Sequence, residues 1–180
     1  PVKSIDLKSE GVSTLSARKI WFDDNVQRLN VDGRGDFLGD FKAEDKILTI
    51  NQKAVIELKT FDISNHFDDN MLLIEQLNTK KPISAIYFNG NKKTYFVKRF
   101  IVDNQTVKFN CISEHKDSYL EIITTDWRPQ VEVVFVKEKG KDRKTQIINL
   151  EEFISVKGAK AMGNKLTSKN VKEINLLEPL

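Results

Sequence analysis

Apolar and polar residues alternate with a period of two along most of the chain, in short runs bounded by Asn, Asp, Gly and Pro. That pattern predicts strands joined by tight turns. RKIWFDD and VQRLNVDG form a pair around Asp23, Asp24 and Asn25, residues suited to a hairpin turn. DKILTINQKAVIELKTFDI reads as two strands with a turn at Asn51, Gln52 and Lys53. ISAIYFNGNKKTYFVKRFIV repeats the form, and its Asn89-Gly90-Asn91 is the strongest hairpin signal in the chain. SYLEIITTDWRPQVEVVFVKEK repeats it again with a turn over Asp126 to Pro129, and KTQIINLEEF and VKEINLLEP supply the last β segments. Helical periodicity is weak. The best helix candidate is DNMLLIEQLN, and even that stretch can be read as a strand plus a turn.

The hairpins resemble one another. Ile47, Ala85 and Leu120 each begin an apolar strand that runs to a polar turn and a second strand, at steps of 38 (47 to 85) and 35 (85 to 120). Strand-rich units of that period predict a propeller-like array in which each sheet buries a face on its neighbour. A plain antiparallel sandwich is the alternative, since it shows hairpins without true repeats.

Composition narrows the class. A chain of 180 residues fits one domain with a sizeable core. With 39% hydrophobic and 31% charged residues it reads as an ordinary globular protein. No apolar run approaches the roughly 20 residues that span a bilayer, and PVKSIDLKSEG has no apolar segment marking secretion. Cys111 is the only cysteine, which excludes a disulfide framework or a cysteine zinc site and predicts a cytoplasmic protein. The net charge of +3 is unevenly spread. Lys137 to Lys172 holds ten basic and four acidic residues (+6), leaving 19 basic and 22 acidic elsewhere (−3). A basic face of this kind can hold a phosphate backbone, or simply keep the protein in solution.

Candidate catalytic chemistry is sparse. Glu57 and Lys59 with Asp45 upstream are the residue types of a metal-dependent nuclease, but such charge alternation is what a half-exposed strand shows. His66 among Asp62, Asp68 and Asp69, and His115 in CISEHKDS, read as turn material. No Ser-His-Asp set, phosphate-binding lysine loop or dinucleotide glycine pattern occurs. We therefore expect no catalytic and no metal residues. Three stretches point instead to anion binding. DGRGDFLGDF brackets Arg34 with glycines that would present it on a tight turn. YFVKRF sets Lys98 and Arg99 among aromatic residues at a strand end, as phosphate contacts or a cross-strand ion pair. VKGAKAMGNKLTSKNV places Lys157, Lys160, Lys165 and Lys169 among small residues and two glycines, too polar for a core element.

IWFDDNVQRLNVDGRGDFLGDFKAEDKILTI, YFVKRF and FISVKGAKAMGNKLTSKNVKEINLLEP, in that order and spacing, together resemble the C-terminal domain of the A subunit of bacterial type IIA topoisomerases, most of all topoisomerase IV, from about Arg18 to Pro179. The resemblance implies a β-pinwheel, a propeller-like array of four-stranded antiparallel blades that exchange strands. At this length it would have about four blades and be open or incomplete. Residues 1–180 would form one such domain, a fragment of a longer subunit. It implies sequence-nonspecific binding and bending of duplex DNA at the outer edge, presenting DNA to a cleavage core for relaxation and decatenation. Lys157, Gly158, Lys160, Gly163 and Lys165 fit the family's basic-glycine blade loop, while Arg34, Lys98 and Arg99 match basic positions in other blades. Expected partners are duplex DNA, the rest of the A subunit and the ATPase B subunit, with no membrane, in the nucleoid-associated cytoplasm. No cofactor is expected here; ATP and Mg²⁺ would act through other domains. The Gln-Arg-Arg-Gly-Gly-type box of DNA-wrapping gyrases does not occur, and none of Tyr87, Tyr95 or Tyr119 has the catalytic tyrosine's context. A propeller-like protein-interaction module is the alternative.

Overall fold

The structure, a computed structural model, describes residues 17–180. The expectations that residues 1–16 carry no secretion signal and belong to the same domain lie outside the described residues. The fold is all-β. In chain order the strands are β1 (Arg18–Asp23), β2 (Arg28–Asn30), β3 (Asp36–Phe41), β4 (Ile47–Asn51), β5 (Val55–Lys59), β6 (Met71–Gln76), β7 (Ile83–Asn89), β8 (Thr94–Phe100), β9 (Phe109–Asn110), β10 (Tyr119–Thr124), β11 (Gln130–Phe135), β12 (Gln146–Asn149), β13 (Asn164–Lys165) and β14 (Val171–Leu176). One short helix, α1 (Leu150–Phe153), follows β12. Four antiparallel sheets result, in the orders β2-β1-β3, β6-β4-β5-β9, β10-β7-β8-β13 and β12-β11-β14. No helix among the described residues is long and apolar enough to cross a membrane.

Two compact units divide the chain, one comprising the residues up to Thr49 with Leu58–Leu77, the other Ile50–Glu57 with Asn78–Leu180. Each has its own core. In the first, Ile20, Phe22, Leu29, Phe41, Ile47 and Phe67 cluster. In the second, Ile86, Val97 and Ile122 of the third sheet pack with Val131, Val133, Ile148 and Ile174 of the fourth. Full burial of such a side chain is worth about 1.5–3 kcal/mol, so the alternating pattern that predicts the strands also drives their packing.

Local turn chemistry explains the hairpins. In the β4–β5 turn, Asn51 Oδ1 accepts from the Lys53 and Val55 amides, both at 3.0 Å, and Ala54 takes φ 64°. In the β7–β8 turn, Asn89 Oδ1 accepts from Asn91 and Lys92, both at 3.0 Å, while Lys93 takes φ 55°. The asparagine side chain imitates a turn carbonyl in both. Gly90 serves a different end from the one its Asn-Gly pair predicts, because it has no positive φ. A Cβ there would lie 2.6 Å from His115 Nδ1 and 2.7 Å from Asp117, so it permits close approach of another loop.

DNMLLIEQLN forms strand β6, in line with its strand reading. Other expectations are corrected: LEEF within KTQIINLEEF is helical, capped by Asn149, whose side chain accepts from the Glu151 amide. The predicted hairpin over Asp126 to Pro129 does not form. β10 pairs with β7, whereas β11 pairs with β12 and β14. The linking residues give their carbonyls to the fourth sheet's surroundings: Pro129 O accepts from the Leu150 amide at 3.0 Å and Arg128 O from the Leu180 amide at 2.9 Å. Ala85 and Leu120, expected in separate units, therefore share one sheet, with Ala85 opposite Ile123. The true likeness is between the β4–β5 and β7–β8 hairpins. Each forms the middle of a four-stranded sheet whose last edge strand comes from a later part of the chain. β9 lies between β8 and β10 in sequence but pairs with β5; β13 lies between β12 and β14 but pairs with β8. This is the strand exchange expected of a pinwheel.

Candidate nucleic-acid interface

The lysine-rich segment after α1 is mostly irregular but is not a free tail. It is bonded along the outer edge of β8 by its backbone. The Lys157 amide donates to Arg99 O at 2.9 Å, and the Leu166 amide to Tyr95 O at 2.9 Å. Between them Asn164 and Lys165 pair with Val97 and Phe96 as β13. The Ala161 amide bonds to Gly158 O at 3.0 Å, making a small turn. The Tyr87 hydroxyl donates to Met162 O at 2.7 Å, and Leu166 is buried in the core. Gly163 makes the approach possible. Its φ is 89°, and a Cβ would overlap Val97 O.

With the backbone so held, Lys157, Lys160 and Lys165 are exposed, and none of the three has a carboxylate partner among the described residues. Lys169, at the far end of the segment, is also exposed and sits over the Phe135 ring at 5.2 Å. All four lysines are exposed along this one stretch of chain. Three exposed point charges on a bonded backbone could attract phosphates without reading bases.

Lys98 and Arg99 lie elsewhere than at an outer edge. Each is only 4% exposed, because both faces of β8 are covered. The Lys98 ammonium donates to Ala159 O at 2.6 Å and to Cys111 O at 2.7 Å. Burial pulls its pKa below the usual lysine value, partly offset by the neighbouring Cys111. Arg99 donates from Nε to Ser84 Oγ at 3.0 Å, and burial lowers its pKa too, with Glu151 acting in the opposite sense. Neither side chain is available to a phosphate in this arrangement. Lys98 has a role that residue type did not announce: it ties the lysine segment, through Ala159, to the chain beyond β9, through Cys111. A cleft of about 570 Å³ lies alongside, lined among others by Tyr87, Lys98, Asn110, Cys111, Lys160 and Met162.

Arg34 belongs to the first unit. Gly33 and Gly35 take φ 85° and 86°, and Asn30 Oδ1 accepts from the Asp32 and Arg34 amides at 3.0 and 3.1 Å. The glycines do present Arg34 on a tight exposed turn, but its guanidinium pairs with Asp32 at 3.1 Å.

Several of the other candidate groups have structural partners. Asp45 accepts from the Lys42 amide at 2.8 Å and from Gln76 at 3.2 Å, and Glu57 pairs with Lys108 at 3.2 Å. The Asp62 carboxylate caps its turn by accepting from the Ser64 amide and hydroxyl, which hold its pKa below the usual carboxylate value. His115 Nδ1 accepts from the Asp117 amide at 3.1 Å. No group of His, Cys, Asp and Glu among the described residues is placed to hold a metal ion.

Fold and segment together define an array of small antiparallel sheets that trade edge strands and carry one basic segment on an edge. Residues 28–178 match the family described as the topoisomerase C-terminal domain of Bacteroidota, and the chain belongs to that family. No curated protein matches the chain.

Proposed function

We propose that this chain is a non-catalytic, sequence-nonspecific duplex-DNA-binding domain of a type II topoisomerase A subunit, which bends DNA and presents it to the cleavage core. The observation that carries the reading is the backbone-anchored segment along β8 with Lys157, Lys160 and Lys165 exposed and without a carboxylate partner among the described residues, in a member of a topoisomerase C-terminal domain family. Residues 1–180 act as one functional domain in this reading. Its partners are DNA, the rest of the A subunit and the ATPase B subunit, in the nucleoid-associated cytoplasm, with ATP and Mg²⁺ used by other domains. The absence of a Gln-Arg-Arg-Gly-Gly-type box from the sequence favours a topoisomerase IV-like role in relaxation and decatenation over chiral wrapping.

The test is binding of the chain to a short random-sequence duplex across a salt series. Affinity falls steeply and linearly with log salt when lysines displace counterions, by about 0.9 per phosphate contacted. Charge reversal of Lys157, Lys160 and Lys165 to Glu is expected to weaken binding at least tenfold at low salt while the thermal unfolding midpoint stays put. Binding indifferent to salt, or an unchanged affinity in the folded triple variant, would defeat this assignment; the former would favour a protein-interaction module.

A further inference from the structure

The turn between β11 and β12 is a second basic element, a finger whose tip is closed by a tight hairpin turn. Glu138 and Lys141 exchange backbone hydrogen bonds at 3.0 and 2.9 Å. The two residues between them, Lys139 and Gly140, take φ 52° and 76°, the paired positive values of the tight type I′ hairpin. Such a turn favours Asn, Asp or Gly at its first central position. Lys139 adopts there the left-handed conformation that Ala54 and Lys93 also take in the other hairpin turns.

The charges are sorted as well. Residues 137–144 hold five cations and two anions. Asp142 pairs with Lys137 at 3.6 Å and Glu138 with Arg143 at 2.8 Å, so both acids are taken by the finger's own cations. Lys139, Lys141 and Lys144 remain exposed, with no carboxylate partner among the described residues. Their net contribution is +3 (five minus two).

The finger's root meets the end of the lysine segment. Phe135 pairs with Val171, the Val136 amide donates to Asn170 O at 2.9 Å, and the Lys169 ammonium lies over the Phe135 ring. The segment along β8 therefore leads through Lys169 to the base of the finger, all within the second unit.

We propose that the 137–144 finger is a second contact for the phosphates of duplex DNA, continuous with the β8 lysine segment, so that one duplex is gripped by both. The proposal rests on the DNA-binding reading above. A two-stranded ribbon can enter the major groove, about 12 Å wide, and a preformed hairpin loses little freedom on binding.

The experiment compares the wild-type chain, the Lys139→Glu/Lys141→Glu/Lys144→Glu variant and a neutral Lys139→Gly/Lys141→Gln/Lys144→Gln variant, using a fluorescent random-sequence duplex over a salt series. Glycine suits the positive φ at residue 139, so the neutral variant keeps the turn. Loss of three phosphate contacts should lower the log–log salt slope by about 2–3 in the neutral variant and weaken low-salt binding at least tenfold in the reversed one. Slopes equal to wild type in both variants, with reversal of Lys157, Lys160 and Lys165 still weakening binding, would overturn the finger alone. No duplex binding by the wild-type chain would overturn the finger and the underlying reading together. Polyglutamate bound as tightly as duplex, and lost in the same finger variants, would overturn the proposal in favour of an acidic protein partner.

Discussion

Lys98 illustrates how one buried side chain can hold an exposed segment in place without itself reaching the surface. Its ammonium satisfies two carbonyls, Ala159 O and Cys111 O, and sits 5.1 Å from the Phe100 ring centroid. Lys98→Met keeps the volume and removes the donors, leaving both carbonyls short of a partner. Each buried orphan costs about 1–3 kcal/mol, so urea denaturation should show a loss of about 2–6 kcal/mol. Limited proteolysis should also find new cleavage near Ala159. Loss of DNA affinity with an unchanged salt slope would identify Lys98 as a positioning residue, since phosphate contacts then remain the same in number. Cys111 makes a second residue-scale case. Its thiol is 2% exposed, and burial pushes its pKa from 9.0 up to about 11, against the pull of Lys98. The folded state thus holds its proton where the unfolded state has lost it. The stabilisation is complete below pH 9 and is lost as pH rises toward 11. The stability of wild type relative to Cys111→Ala should accordingly fall across that window in chemical denaturation measured at each pH. Neither role was legible beforehand. Alternation along YFVKRF says that neighbouring residues face opposite ways, but not that both sides of β8 are covered.

At the scale of elements, the lysine segment depends on a single glycine. Gly163 combines φ 89° with backbone contact to Val97, and any side chain both strains the conformation and pushes the segment off β8. Gly163→Ala should cost about 1–3 kcal/mol and expose the amides of Asn164 to Leu166 to hydrogen exchange, while the β7–β8 pairing stays protected. Protection equal to wild type at those amides would show that the segment does not need this approach. Hairpins were readable where turn chemistry is local, as at Asn51 and Asn89, whose side chains build the turn themselves. The link from β10 to β11 was misread because Asp126, Trp127 and Pro129 signal only that the chain turns. Which sheet receives the next strand depends on carbonyls accepting from Leu150 and Leu180, residues far away in sequence. The basic finger was hidden differently: Lys139-Gly140 has the glycine of a type I′ turn but not its usual Asn or Asp.

For the molecule as a whole, the alternation of apolar residues specified the all-β class, and the charge asymmetry pointed to the half that carries both basic elements. The repeat read from Ile47, Ala85 and Leu120 was partly real, since it found the two hairpins that centre four-stranded sheets. It failed at Leu120 because a period counts residues along the chain, and a fold with exchanged strands does not fill its sheets in chain order. That exchange bears on how the protein is made. The free edge of β8 is closed by β13, whose first residue follows Phe100 by 64 positions (164 minus 100). At roughly 5–20 residues per second of synthesis, a nascent chain waits several seconds with that edge open, a ready template for pairing with another polypeptide. The segment carrying the lysines is then also the piece that seals the newborn sheet, so a ribosome that stalls before Asn164 leaves behind a sticky strand as well as a protein without its basic edge.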